Sequence, residues 1–250
     1  MRSLRAVALL TLLSSPAAAS DGPPRVVVEL FTSQGCSSCP PADELLRRLG
    51  NARGVKDGLI PLSFHVDYWN HIGWKDPYSQ RAWSKRQRRY AAKLPSGVYT
   101  PQVVIDGRAH VVGSRGREVT DGITAARKRA HTPFEVAVRR SGSKVHATAR
   151  ASYPAGVNPK DLQLVFALFE SSIVTKVASG ENSGETLAHD FVVRALKQRV
   201  ASGKDKATAS VSFTIEDGWS ASDLGVASFW QETRSLHIHG GAKATLTPAR

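Results

Sequence analysis

The chain has 250 residues, 41% of them hydrophobic, enough to bury a full core and to exclude a disordered chain. A formal charge of +13 suits anionic partners, yet the basic residues are scattered apart from the run Lys85-Arg86-Gln87-Arg88-Arg89. No nucleic-acid motif accompanies that run, so it reads as a solvated helix face and nucleic acid is not an expected partner.

The N-terminus places Arg2 and Arg5 before an apolar run from residue 6 to 13 and closes on Ala17-Ala18-Ala19. A charged region, a short apolar region and an Ala-x-Ala end spell a signal peptide over residues 1–19. The run falls short of the ~20 residues that cross a bilayer, and no other stretch is longer, so no transmembrane span is expected. The expected location is periplasmic or secreted. A Cys pair can persist there as a disulfide.

Residues 20–25 are polar and proline-rich, an arm before a strand at 26–31. Thr32-Ser33-Gln34-Gly35 makes a turn into Cys36-Ser37-Ser38-Cys39. Pro40 and Pro41 suit the first turn of a helix, whose amide hydrogens lack intrahelical partners. Asp43 and Glu44 favour the same turn, Leu45, Leu46 and Leu49 give an apolar face, and Gly50 is expected to end the helix, over 40–49. A second strand at 58–66 leads to the aromatic loop Asp67-Tyr68-Trp69-Asn70-His71-Ile72-Gly73-Trp74. A loop there lies at the carboxyl edge of a parallel sheet, where ligand sites collect.

A helix over 79–94 carries Trp83, Tyr90 and Ala91 on one stripe. After Pro101 comes a strand, the Asp106-Gly107 turn and a partner strand over 109–112, then a helix over 116–130. Strand, Cys helix, strand, helix, proline, hairpin and helix is the thioredoxin order. The expectation is an α/β thioredoxin-like N-terminal domain over 20–131. Beyond Pro133 strands are expected at 134–138, 145–149, 162–170, 173–177, 207–215, 226–231 and 236–238. Residues 191–196 read as a strand or a short helix. These predict a C-terminal all-β sandwich domain over 132–250.

The Cys pair closes too small a loop to work as a staple, because the entropic gain of a disulfide grows with loop length. At a helix N-terminus Cys36 gains a stabilised thiolate and reads as the nucleophile, with Cys39 as the resolving thiol. Thr100 and Pro101 are expected beside the pair, with the bond before Pro101 cis. His65 and Asp67 end the second strand at the same edge and are candidates to move the proton of thiol exchange, or else packed and loop-capping residues. Tyr68, Trp69 and Trp74 read first as core packing. Glu181, Asn182, Glu185, His189 and Asp190 read as a solvated polar loop, with docking against the redox edge as the alternative. His237 and His239 read as structural. Cys36 and Cys39 could instead hold Cu(I); zinc normally wants four ligands and no second Cys pair exists.

The stretches from Val28 to Asp43, His65 to Trp69, Gly73 to Pro77 and Gly97 to Gln102, with Gly180-Glu181-Asn182-Ser183-Gly184 and Val192-Val193-Arg194, resemble an uncharacterised family of secreted bacterial proteins. The resemblance implies a thioredoxin-like fold and a redox site, and supplies no substrate. The reading is an exported thiol-disulfide oxidoreductase-like protein acting on a protein thiol or disulfide, without an organic cofactor. The alternative is a non-enzymatic envelope binding module, or a Cu(I)-binding protein, on the same frame.

Overall fold

The computed structural model describes residues 25–52, 58–129, 131–204 and 206–246. The expected signal peptide lies outside the described residues. Among the described residues thirteen strands and three α-helices follow one another, with short 3-10 turns between some of them.

The first half runs β1 (Val26–Thr32), α1 (Pro40–Asn51), β2 (Leu59–His65), α2 (Arg81–Ala91), β3 (Gln102–Ile105), β4 (Ala109–Val112) and α3 (Gly116–Arg127). β1 pairs parallel with β2 and antiparallel with β3, which pairs with β4. Alternation along β1 sorts its side chains between two layers. Val26, Val28 and Leu30 face Ala42 and Leu46 of α1 and Val119 and Ile123 of α3. Val27 and Phe31 join the core that holds Trp83 and Tyr90 of α2.

The second half runs β5 (Phe134–Ser141), β6 (Lys144–Ser152), β7 (Leu162–Glu170), β8 (Ile173–Lys176), β9 (Thr186–His189), β10 (Val192–Arg199), β11 (Lys206–Thr214), β12 (Leu224–Glu232) and β13 (Ile238–Thr245). The segment left between strand and helix is therefore the strand β10.

The expected division into an α/β thioredoxin-like domain and a separate all-β sandwich is overturned. One eight-stranded sheet in the order β13-β12-β7-β10-β2-β1-β3-β4 crosses the boundary expected at residue 131. β10 docks parallel on the open edge of β2, where Ser63 N donates to Phe191 O at 2.8 Å. The cores merge as well: Phe169 of β7 and Phe229 of β12 pack in the cluster of Phe64, Trp83 and Tyr90. β7 is covered on both faces, which explains its nearly unbroken apolar run. Its Leu164, Phe166 and Leu168 face the three-stranded sheet β11-β6-β5, through Val136, Val145 and Ala147. Strands are local signals in a sequence; the partner each strand selects is not.

Gly50 lies within α1 and does not end it. A Cβ there would come within 2.3 Å of the Phe191 ring, so glycine allows the helix to approach the strand that joins the two halves. The basic run on α2 is also not uniformly solvated. Arg86 is buried, with Nε 2.7 Å from Glu29 Oε1, and its guanidinium lies 5.6 Å over the Phe64 ring and 5.3 Å over Tyr90. Without Arg86, Glu29 would be a buried carboxylate in the middle of β1 held only by the Tyr90 hydroxyl, which is costly.

No helix among the described residues is long and apolar enough to cross a membrane.

Candidate functional site

The turn after β1 carries Cys36 and Cys39, joined by a disulfide with 5.4 Å between their Cα atoms. Cys39, and not Cys36, is the residue that caps α1; Cys36 stands one turn earlier. Both cysteines have zero exposure, while Ser37 and Ser38 between them are exposed. Pro40 and Pro41 occupy the first positions of α1, as expected.

The Thr100-Pro101 peptide bond is cis, and Thr100 Oγ1 donates to Cys36 Sγ at 3.3 Å. Thr100 is held in turn by Trp69, whose indole N–H donates to Oγ1 at 2.7 Å. Ser38 Oγ lies 3.4 Å from Cys36 Sγ. Trp69 and Trp74 thus act through their N–H groups as well as by packing, since Trp74 Nε1 donates to Gln34 Oε1 at 3.1 Å.

Gln34 is the junction of the site, with all four of its polar groups engaged. Besides the Trp74 contact, its backbone N donates to Asp76 Oδ2 at 2.8 Å and its carbonyl accepts from Asn182 Nδ2 at 2.8 Å. Its Nε2 lies 3.2 Å from His189 Nε2. Asn182 also donates to the Cys36 carbonyl at 3.1 Å, and neighbouring Glu181 accepts from Ser37 N at 3.0 Å. The polar loop read as solvated therefore docks on the Cys turn.

Behind the turn lies a buried polar cluster. His65 Nδ1 is 2.7 Å from Asp76 Oδ2. Burial opposes the imidazolium, but the charge of Asp76 and its hydrogen bond outweigh it and raise the His65 pKa. Asp76 is held low by His65 and two backbone amides despite its own burial. The His189 ring stands edge-on to His65, 4.8 Å between centroids, and Asp43 Oδ1 lies 3.7 Å from His189 Nδ1. His65 Nε2 and His189 Nδ1 make no hydrogen bond.

Asp43, His65 and His189 each offer one ligand atom, all within 4.8 Å of one another. Tetrahedral zinc with ligands at ~2.0–2.2 Å would bring those atoms to roughly 3.4 Å. The hydrogen bonds also oppose an ion. Trp74 fixes the Gln34 oxygen, so the amide NH2 faces His189 Nε2 and the ring proton sits on Nδ1, toward Asp43. Cys36 and Cys39, in the disulfide form, have no thiolate to give a metal.

Of the residues expected at the site, Cys36, Cys39, Thr100 and Pro101 come together. His65 sits behind the turn without a hydrogen bond to either cysteine, and Asp67 is tied to Ser84 of α2 through its backbone N and its carboxylate. Gln34, Asp43 and Asp76 had no functional reading; Asp43 looked like an ordinary first-turn acid, and only its burial, at 6% exposure, sets it apart. A cavity of about 740 Å³ opens elsewhere, along α2 and β10. Two of its cations already have carboxylate partners, Arg86 with Glu29 and Arg194 with Glu170.

Fold and site together define a β-rich protein with a buried Cys-x-x-Cys disulfide beside a cis-proline, clamped by a loop from the far half of the chain. Residues 27–231 match the family described as proteins of unknown function, DUF1223, and the chain belongs to it. Its structure is similar to the crystal structure of protein AGR_C_4864 from Agrobacterium tumefaciens, with 27% identity, a TM-score of 0.66 and coverage of 94% of this chain and 98% of that one. It also shares its fold with HBP35 of Porphyromonas gingivalis, at 15% identity and a TM-score of 0.68, over 91% of this chain and 76% of that one. No curated protein matches the sequence.

Proposed function

We propose that the protein is a thiol-disulfide oxidoreductase working on protein thiols or disulfides. The observation that carries this reading is the hydrogen bond from Thr100 Oγ1 to Cys36 Sγ, made from the residue before a cis-proline. That donor stabilises charge on the Cys36 sulfur. In the reduced protein Cys36 attacks a substrate disulfide, forming a mixed disulfide and releasing one substrate thiolate. Cys39 then attacks Cys36, closing the Cys36–Cys39 bond and freeing the second substrate thiol. The reverse sequence oxidises a dithiol, and the relative potentials of pair and substrate set the direction.

The proposed location is periplasmic or secreted, supported by the charged, apolar and Ala-x-Ala order of residues 2–19. Insulin reduction with dithiothreitol tests the activity. Wild type should turn over and Cys36→Ser should not, while Cys39→Ser should accumulate a mixed disulfide whose partner can be read by mass. Equal rates for wild type and Cys36→Ser would end this reading.

A second reading draws on the zero exposure of both cysteines. It makes the disulfide a permanent closure in a non-enzymatic binding protein. Absence of turnover, with the disulfide intact in strong reductant, would favour it.

A further inference from the structure

The disulfide is out of reach of solvent, and the Ser37 amide and the Gln34 and Cys36 carbonyls of its turn are bonded by side chains of residues 177–185, between β8 and β9. This loop is bonded to itself: Gly184 N donates to Val177 O and Val177 N to Glu185 O, both at 2.9 Å, and Glu185 N donates to Asn182 O at 3.1 Å. Such a closed unit can shift as one piece. Its polar holds on the first half are few. Asn182 bonds the carbonyls of Gln34 and Cys36, Glu181 takes the Ser37 amide, and Ser179 Oγ donates to Gly73 O at 2.6 Å. Apart from Asn182, these side chains are exposed or partly so, where water can replace each bond.

We propose that residues 177–185 are a latch over the Cys turn, and that a thiol substrate reaches Cys36 only when Asn182 and Glu181 release it. This rests on the thiol-exchange reading of the same site. Glu181 is a positioning residue here, because it touches the backbone beside Cys36. Its carboxylate is ionised, held below the usual carboxylate range by the Ser37 amide and side chain.

Charge makes the latch sensitive to the state of the pair. A disulfide is neutral, so the Glu181 carboxylate can share the turn with it. Once the bond is reduced, a Cys36 thiolate next to Ser37 repels that carboxylate. Reduction loosens the latch and oxidation lets it close. Gly180 supplies the fit: its φ is +77°, and a Cβ there would stand 3.1 Å from Trp74 Cβ.

Dithiothreitol tests access directly. Its thiolate bonds to Cys36 Sγ, the Cys36–Cys39 bond breaks, and the electron pair leaves on Cys39, which takes a proton from water. Its second thiol then displaces Cys36, leaving two protein thiols and a cyclic oxidised reductant. The rate of disulfide opening is to be followed by quenched alkylation and mass for wild type, Asn182→Ala, Glu181→Gln and Gly180→Ala. The expected result is an increase of about tenfold in each variant, with the melting midpoint of Glu181→Gln unchanged. Rates within about twofold of wild type in all three would overturn the latch. So would an acceleration that only tracks a lowered midpoint, since access would then come from unfolding of the whole chain. The reductant acts on any reachable disulfide, so failed insulin reduction with faster opening in the variants would remove the oxidoreductase and leave the latch.

Discussion

His65 Nδ1 lies 2.7 Å from Asp76 Oδ2, and neither side chain has any exposure. This pair folds the loop after β2 back onto the strand, beside the bond from Gln80 N to His65 O. Asp76 also takes the Gln34 amide, so the charge state of His65 is linked to the turn that carries the cysteines.

Stability should therefore depend on pH with a definite sign. The His65 pKa is raised above its ordinary 6.5, so its contribution is complete below that value and is lost as pH rises through the folded pKa. The Asp76 pKa is lowered from 3.8, so its contribution is present above that value and is lost as pH falls through the folded one. The melting midpoint should decline as pH rises above about 6.5, and His65→Gln should flatten that decline. An identical slope in the variant would remove His65 as its source.

Thr100→Val keeps the shape of the side chain and removes the donor to Cys36 Sγ. Losing one hydrogen bond to a thiolate should raise the Cys36 thiol pKa. Alkylation rates of the reduced protein against pH measure it, and an unmoved midpoint would show that Thr100 does not act on the sulfur.

Arg86→Met should cost about 3–5 kcal/mol in urea unfolding, because it leaves the Glu29 carboxylate in β1 without its cation and with only the Tyr90 hydroxyl. Glu29→Gln added to it should recover more than half of that loss. Equal stability of the single and double variants would contradict the coupling.

A fragment of residues 25–131 should fail to melt cooperatively and should bind a hydrophobic dye. It would bare the β2 edge and the face of Phe64, Trp83 and Tyr90 that Phe169 and Phe229 cover. Each large apolar side chain so exposed forfeits roughly 1.5–3 kcal/mol. A sharp transition in the fragment would show that the first half stands without the second.

Features with local causes were readable from sequence. The β-branched run of β1, the paired prolines of α1 and the Asp106-Gly107 turn into β4 each announce themselves within a few residues. The joining of β10 to β2 could not be read, because a strand edge accepts any partner of suitable pattern. Arg86 looked solvated among other cations; the signal missed was Glu29, a lone carboxylate inside an apolar strand that needs a buried cation. His189 sits on β9, a four-residue strand too short to show alternation clearly, and its meeting with Gln34 depends on the whole sheet.

The position of residues 177–185 in the chain sets an order of events during synthesis. Ser37 and Glu181 are 144 residues apart, and chains are made from the N-terminus. Cys36 and Cys39 emerge long before residues 177–185 exist, so in a half-made chain the two cysteines stand without that loop. The seal arrives only with the last third of the polypeptide. On the proposed latch, the pair is therefore open to reagents in a partly made chain and closed to them in the finished one.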